Sequence, residues 1–176
     1  MSLMKINCVI LNYNDADTTG KLVRQIREYD SLNQIVVVDN ASTDDSAERL
    51  KELEDEKVVV LAAESNRGYG AGNNLGVEYS FQISGATHVI IANPDTSFTE
   101  NCILGMSKVF YHAPDVGVVA ATMEDAVYGT HRNGWPLRSF TKELLSMGPV
   151  SRRLFGRLLE YPESYYQDKT AVYVDA

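Results

Sequence analysis

The sequence contains no apolar run long enough to cross a bilayer; its longest uninterrupted apolar stretches are of strand length, so membrane attachment would need residues outside this chain. Positive charge is also scarce. Sixteen Lys and Arg stand against 24 Asp and Glu, a net charge of −8, and a field of that sign repels phosphate-rich polymers, which argues against nucleic acid or an anionic membrane as partner. Cysteine is rarer still: Cys8 and Cys102 lie far apart with no secretory signal before them. They read as reduced, buried thiols of a cytosolic protein. For the same reason the sequon Asn40-Ala41-Ser42 is read as a chance match. The three histidines, His88, His112 and His131, show no metal-ligand spacing, and neither a Gly-x-Ser-x-Gly nor a Walker sequence occurs. Nucleophile-elbow hydrolases and P-loop enzymes therefore lose support.

What is present fits one compact domain: 176 residues, 44% of them apolar, can bury a real core. Any anionic ligand must be held locally, by backbone N–H groups, a metal ion or a few arginines, because the global field opposes it. The chain then alternates regularly. Lys5 to Leu11, Ile35 to Val38, Val58 to Ala62, His88 to Ala92 and Val116 to Ala121 are β-rich apolar runs. Between them come helical periodicities carried by Leu22, Val23, Ile26 and Tyr29, by Leu50 and Leu53, by residues up to Phe81, and by Ile103, Met106 and Phe110. Strands that are apolar at consecutive positions and alternate with helices predict an α/β fold, a mostly parallel sheet with helices on both faces. In such sheets ligands sit at the carboxyl ends of the strands, so the loops opening at Asn12, Asp39, Asn66 and Asn93 are expected to share one rim. Residues 4–121 form this regular core. Residues 122–176 are punctuated by Gly129, Gly134, Pro136, Gly148, Pro149 and Pro162 and offer at most a short basic helix, Arg152 to Leu159. Trp135, Tyr161, Tyr165 and Tyr166 there are read as packing aromatics, with stacking on a sugar ring as the alternative.

Several rim residues carry possible chemistry. Asp39 ends a buried strand, where its carboxylate is placed either to accept from a base or ribose or to cap a turn; taken alone, both readings stand. Asp44, Asp45 and Ser46 read as helix caps. Gly68-x-Gly70-x-Gly72 precedes a helix, but its third glycine has the wrong spacing for a dinucleotide fingerprint and it follows the third strand rather than the first. It is read instead as a loop that needs close backbone approach or positive φ, and the adjacent Arg67 offers a planar donor fork for a carbonyl or phosphate. Asn93-Pro94-Asp95 places Asp95 on the rim, with a proline fixing the backbone before it. One carboxylate together with a ligand's diphosphate can hold a hard divalent cation. Glu124 and Asp125, after the fifth run, are read as solvated loop acids.

Together these blocks resemble the family 2 inverting glycosyltransferases of the GT-A fold, especially their rhamnosyltransferase-like branch. The resemblance runs through Val9-Ile10-Leu11-Asn12-Tyr13-Asn14, Val36-Val37-Val38-Asp39-Asn40-Ala41-Ser42-Thr43-Asp44, Asn66 through Gly76, and Asn93-Pro94-Asp95. It implies transfer of a sugar, with rhamnose as a family-level lean, from a UDP- or dTDP-linked donor to a glycan or lipid-linked acceptor with inversion. It further implies that Asn12 and Asp39 contact the nucleoside, and that Arg67, Gly68 and Gly70 close over base and diphosphate. Asp95 would bind Mg²⁺ or Mn²⁺ at the place of the family's Asp-x-Asp motif, whose first acid is here Asn93, and both Asn93 and Asp95 would take part in binding the nucleotide-sugar. The family's general base is expected beyond Ala176, with Val172-Tyr173-Val174-Asp175-Ala176 resembling the start of the next core strand. Cell-envelope or surface polysaccharide synthesis, in the cytoplasm or at the inner face of the membrane, is the implied setting. Two alternatives remain: a non-catalytic nucleotide-sugar-binding module of the same fold, and a sugar nucleotidyltransferase. The latter would want a basic glycine-rich loop after the first strand, where Asn12-Tyr13-Asn14-Asp15 offers neither feature.

Overall fold

The computed structural model describes residues 4–113, 115–125 and 129–131, together with Phe140, Thr141 and Leu154. Four parallel strands, β1 (Ile6–Asn12), β2 (Gln34–Asp39), β3 (Val58–Ala62) and β4 (His88–Ala92), form one sheet in the order β3-β2-β1-β4. The helices α1 (Ala16–Ile26), α2 (Ser46–Lys51) and α3 (Tyr69–Gln82) are the crossovers, and α4 (Glu100–His112) follows β4. The order reverses between β1 and β4, because β1 leads outward to β2 and β3 whereas α3 carries the chain back across the sheet to β4. Such a reversal parts the loops at the strand ends and leaves a crevice there.

Why these segments form strands is visible in their burial. Val9, Ile10, Ile35, Val36, Val37 and Val38 are all fully buried, as consecutive positions must be when both faces are covered. One face carries Cys8, Ile10, Ile35 and Val37 against Leu22, Val23 and Ile26 of α1, Leu50 of α2 and Ile103 of α4. Burial pushes the Cys8 thiol up to about 12, so it packs as a small apolar group. The other face carries Val9, Val36 and Val38 against Leu75, Val77 and Tyr79 of α3. Helix α3 reaches the sheet through its small residues. A Cβ at Gly76 would lie 2.5 Å from Val9 Cγ1, so glycine is required there by close approach, and one at Gly72 would lie 2.4 Å from Leu11 Cδ1, the end of a side chain that can rotate.

Two helices are shorter than their periodicity predicts. α1 ends at Ile26 rather than running to Tyr29, whose ring still joins the core while its hydroxyl donates to Phe98 O at 2.8 Å. α2 stops at Lys51, leaving Leu53 packed from the following turn. At the start of α2, Asp45 occupies the cap position without a side-chain capping hydrogen bond, whereas Asp44 Oδ1 accepts from Ser46 N at 3.0 Å.

The chain divides into two compact units, Met1–Leu104 and Gly105–Ala176. In the second, Val116 to Ala121 is not a strand, contrary to its composition: no described partner completes a ladder, and Val118 is 77% exposed. β propensity expresses packing on a half-buried surface, and without that surface it does not act. Glu124 and Asp125 are correspondingly not loop residues but part of β5 (Met123–Asp125), antiparallel to β6 (Gly129–His131). The expected basic helix at 152–159, the aromatics Trp135, Tyr161, Tyr165 and Tyr166, and the run 172–176 lie outside the described residues, Leu154 excepted.

Candidate functional site

The loops opening at Asn12, Asp39, Asn66 and Asn93 do share one rim. They surround an open cleft of about 470 Å³ lined by Leu11 at the end of β1, Tyr13 and Asp15 after it, Asn40 after β2, Asn66 and Tyr69 after β3, and Asn93, Pro94 and Asp95 after β4.

The first two loops are joined at their base by a network fixed by the register of the two central strands, in which Asn12 sits opposite Asp39; neither side chain lines the cleft itself. Asn12 Nδ2 donates to Asp39 Oδ1 at 2.9 Å and to Ser42 Oγ at 3.2 Å, while its Oδ1 accepts from Thr19 Oγ1 at 2.8 Å. The Asn12 side chain is thus fully buried and fully used inside the protein: it holds Asp39 and Ser42 in place. Asp39, 3% exposed, also accepts from Ser42 N at 3.0 Å (Oδ2) and from Ser42 Oγ at 2.5 Å (Oδ1), a turn cap built on the end of a strand. The first and second loops are further joined where Asn14 Oδ1 accepts from Thr43 N at 2.7 Å. Asn14 (φ 53°) and Ala41 (φ 58°) both take left-handed backbone to close this clasp.

The third loop is anchored by Asn66. Its Oδ1 accepts from Asn40 Nδ2 at 3.0 Å and from Gly68 N at 3.0 Å, and Gly68 then turns into α3 with φ 91°. Positive φ is therefore the reason for glycine at 68, while Gly70 meets open space. Arg67 is exposed and forms no ion pair with a described residue. In the fourth loop Thr96 N and Thr96 Oγ1 both donate to Asn93 O, at 3.1 and 2.6 Å, closing a turn around Pro94 and leaving the Asp95 carboxylate exposed. The Asn93 side chain is tied across the cleft: Tyr69 Oη donates to its Oδ1 at 2.8 Å.

Among the described residues no three His, Cys, Asp or Glu side chains gather as a ready-made metal site. The exposed carboxylate of Asp95, with that of Asp15 also in the lining, can instead hold a hard cation that arrives with a ligand's own oxygens. Tyr13 and Tyr69, 47% and 58% exposed, were not given roles by sequence reasoning. The available signal was a large ring set among polar loop residues, which packing alone does not require.

This architecture defines a class, an α/β protein that takes a ligand at the carboxyl end of a parallel sheet, at its switch point. The chain belongs to glycosyl transferase family 2, whose model matches residues 8–169. A curated relative, the low-salt glycan biosynthesis hexosyltransferase Agl10 of Haloferax volcanii, is 28% identical over 98 residues, which is 56% of this chain and 30% of that protein. Among solved structures, the mannosyltransferase PcManGT from Pyrobaculum calidifontis, in complex with GDP-Man and Mn²⁺, superposes with a TM-score of 0.57 at 20% identity, covering 94% of this chain and 50% of that one. A 4-diphosphocytidyl-2C-methyl-D-erythritol synthase superposes with a TM-score of 0.54 at 14% identity, over 74% and 69% of the two chains. At these identities the likeness is one of fold, and the sheet is of the GT-A-like type. The chain spans under a third of the curated relative and half of the mannosyltransferase. No helix among the described residues is long and apolar enough to cross a membrane.

Proposed function

We propose that this chain binds the donor of a sugar transfer, a UDP- or dTDP-linked sugar, for delivery with inversion to a glycan or lipid-linked acceptor in cell-envelope polysaccharide synthesis. The observation that carries this reading is the convergence of four strand-end loops on one cleft, with the exposed Asp95 carboxylate in its lining and the buried Asp39 at the strand end next to the lining residue Asn40. Asp39 takes the pyrimidine, and Asn12, buried behind it, keeps the carboxylate aimed. Arg67 with Gly68 and Gly70 closes over base and diphosphate, where an exposed guanidinium and N–H groups at a helix start suit an anion. Residues 4–121 serve as the donor-binding core and residues 122–176 as the acceptor side, in a protein of the cytoplasm or of the inner face of the membrane. Rhamnose is the sugar favoured by the branch the sequence resembles.

Mg²⁺ or Mn²⁺ would be held by Asp95 together with diphosphate oxygens, and supplies charge neutralisation for the departing diphosphate. The attack also demands that the acceptor hydroxyl lose its proton to a base, and this reading assigns that role to no residue of the chain. The alternative of a sugar nucleotidyltransferase is disfavoured, because the loop after β1 is Tyr13-Asn14-Asp15, without the basic glycine-rich character such a reaction wants. Calorimetric titration with UDP and with dTDP, with and without Mn²⁺, tests the proposal. Metal-dependent binding that Asp95→Ala abolishes is expected, and absence of binding at millimolar ligand overturns it. Sugar transfer or donor hydrolysis by the same chain would exclude the alternative of a non-catalytic binding module.

A further inference from the structure

The Tyr69–Asn93 contact deepens the proposed function and rests on it. Tyr69 opens α3 and Asn93 follows β4, so their 2.8 Å hydrogen bond spans the cleft between two walls that are 24 residues apart in sequence. The tyrosine is also fixed from behind, where Asn73 Nδ2, one helical turn on, donates to Tyr69 O at 3.0 Å. Asn73 is itself 4% exposed, so this end of α3 has little freedom.

The bond orients the Asn93 amide. A phenol donates here to Oδ1, which leaves Nδ2 with two N–H groups and no partner among the described residues, at the lip of the cleft beside Asp95. A carboxylate at 93 would add negative charge next to Asp95 and Asp15 in a chain already at −8. An amide held nitrogen-outward presents a neutral donor to an approaching anion instead. We infer that Asn93 is a donor-ligand contact rather than a metal ligand, that its amide nitrogen binds a diphosphate oxygen of the nucleotide, and that Tyr69 is the positioning residue that sets its orientation. The cation is then left to Asp95 and the diphosphate, and Tyr69 couples the start of α3 to the phosphate end of the site.

Calorimetry on the intact chain with UDP and with uridine, in Mn²⁺, tests this in wild type, Tyr69→Phe, Asn93→Ala and the double variant. Tyr69→Phe keeps the ring and removes only the hydroxyl. It should weaken UDP roughly three- to tenfold, the range of one hydrogen bond, while leaving uridine affinity and the melting temperature within error. In the Asn93→Ala background the same change should have no further effect, since the hydroxyl acts only through that amide. Asn93→Asp should increase Mn²⁺ affinity measured without nucleotide by electron paramagnetic resonance and weaken UDP. UDP binding that Tyr69→Phe leaves unchanged overturns the inference alone, as do equal losses for UDP and uridine or additive effects in the double variant. Failure of the wild type to bind UDP overturns the proposed function and this inference with it.

Discussion

Replacing Gly76 by alanine isolates the contact that holds α3 to the sheet. The added Cβ would lie 2.5 Å from Val9 Cγ1, 3.0 Å from Val38 Cγ2 and 3.2 Å from Val9 Cγ2. Contacts between carbons are comfortable at about 3.5–4.0 Å, so one partner must yield by roughly 1 Å. Val9 and Val38 are fully buried, β-branched and set in adjacent parallel strands, so rotamer escape is closed to them and the helix must lift instead. Overpacking of this kind costs about 1–3 kcal/mol, against a helix-propensity gain of about 1 kcal/mol for Gly→Ala. At Gly70 an added methyl meets nothing within 4 Å, so only the propensity gain, reduced by its place in the first turn, is expected there. Gly72 falls between, because its main obstacle is the half-buried end of the Leu11 side chain, which can rotate. Urea unfolding should therefore rank stability as Gly70→Ala at or above wild type, then wild type, then Gly72→Ala, with Gly76→Ala lowest, at unchanged m. A Gly76→Ala variant as stable as wild type would refute the reasoning, since it would mean that α3 does not rest on Val9 and Val38.

Asp39→Asn places an amide where Asn12 Nδ2, Ser42 N and Ser42 Oγ all donate, so stability should fall by about 1–3 kcal/mol and nucleotide binding with it, as denaturant midpoints and calorimetry would show. Ala41→Gly relieves a left-handed alanine worth about 1–2 kcal/mol of strain but adds unfolded-chain entropy of about 0.4–1 kcal/mol, so a small net rise in thermal stability is expected. The Asp55 carboxyl is held below the usual carboxylate range chiefly by the Val58 backbone N–H, with Arg27 adding to it, and Glu100 is held low chiefly by the Ser31 backbone N–H. Because these folded values are depressed, their contribution is present above the unfolded carboxyl range near pH 4 and is lost as pH falls through the lower folded values. Urea midpoints should thus decline on acidification below about pH 4, and Asp55→Asn should flatten that decline.

Much of the fold was legible because parallel strands announce themselves as consecutive apolar runs: Val58–Ala62 and His88–Ala92 match the strands residue for residue, and β1 and β2 differ by one residue at each end. Chain order alone also implied a shared rim, because every strand in a parallel sheet ends on the same side. Val116 to Ala121 misled because a β-rich composition cannot say whether a neighbouring strand exists to pair with it.

For the site, the sequence by itself determined that polar loops follow the four strands, the third of them rich in glycine, and local chemistry explains this: a positive φ at Gly68 and a proline-fixed turn at Asn93-Pro94-Asp95 are properties of a few adjacent residues. Only the tertiary structure decided which side chains face the cleft. Asn12 and Asp39 are joined by the β1–β2 register, which turns Asn12 inward as a support, and Tyr69 meets Asn93 because the crossover of α3 returns the chain to β1's other side. Partnerships between residues 24 and 27 positions apart depend on strand order and register, which pairing energies across the whole sheet fix and no local stretch of sequence encodes.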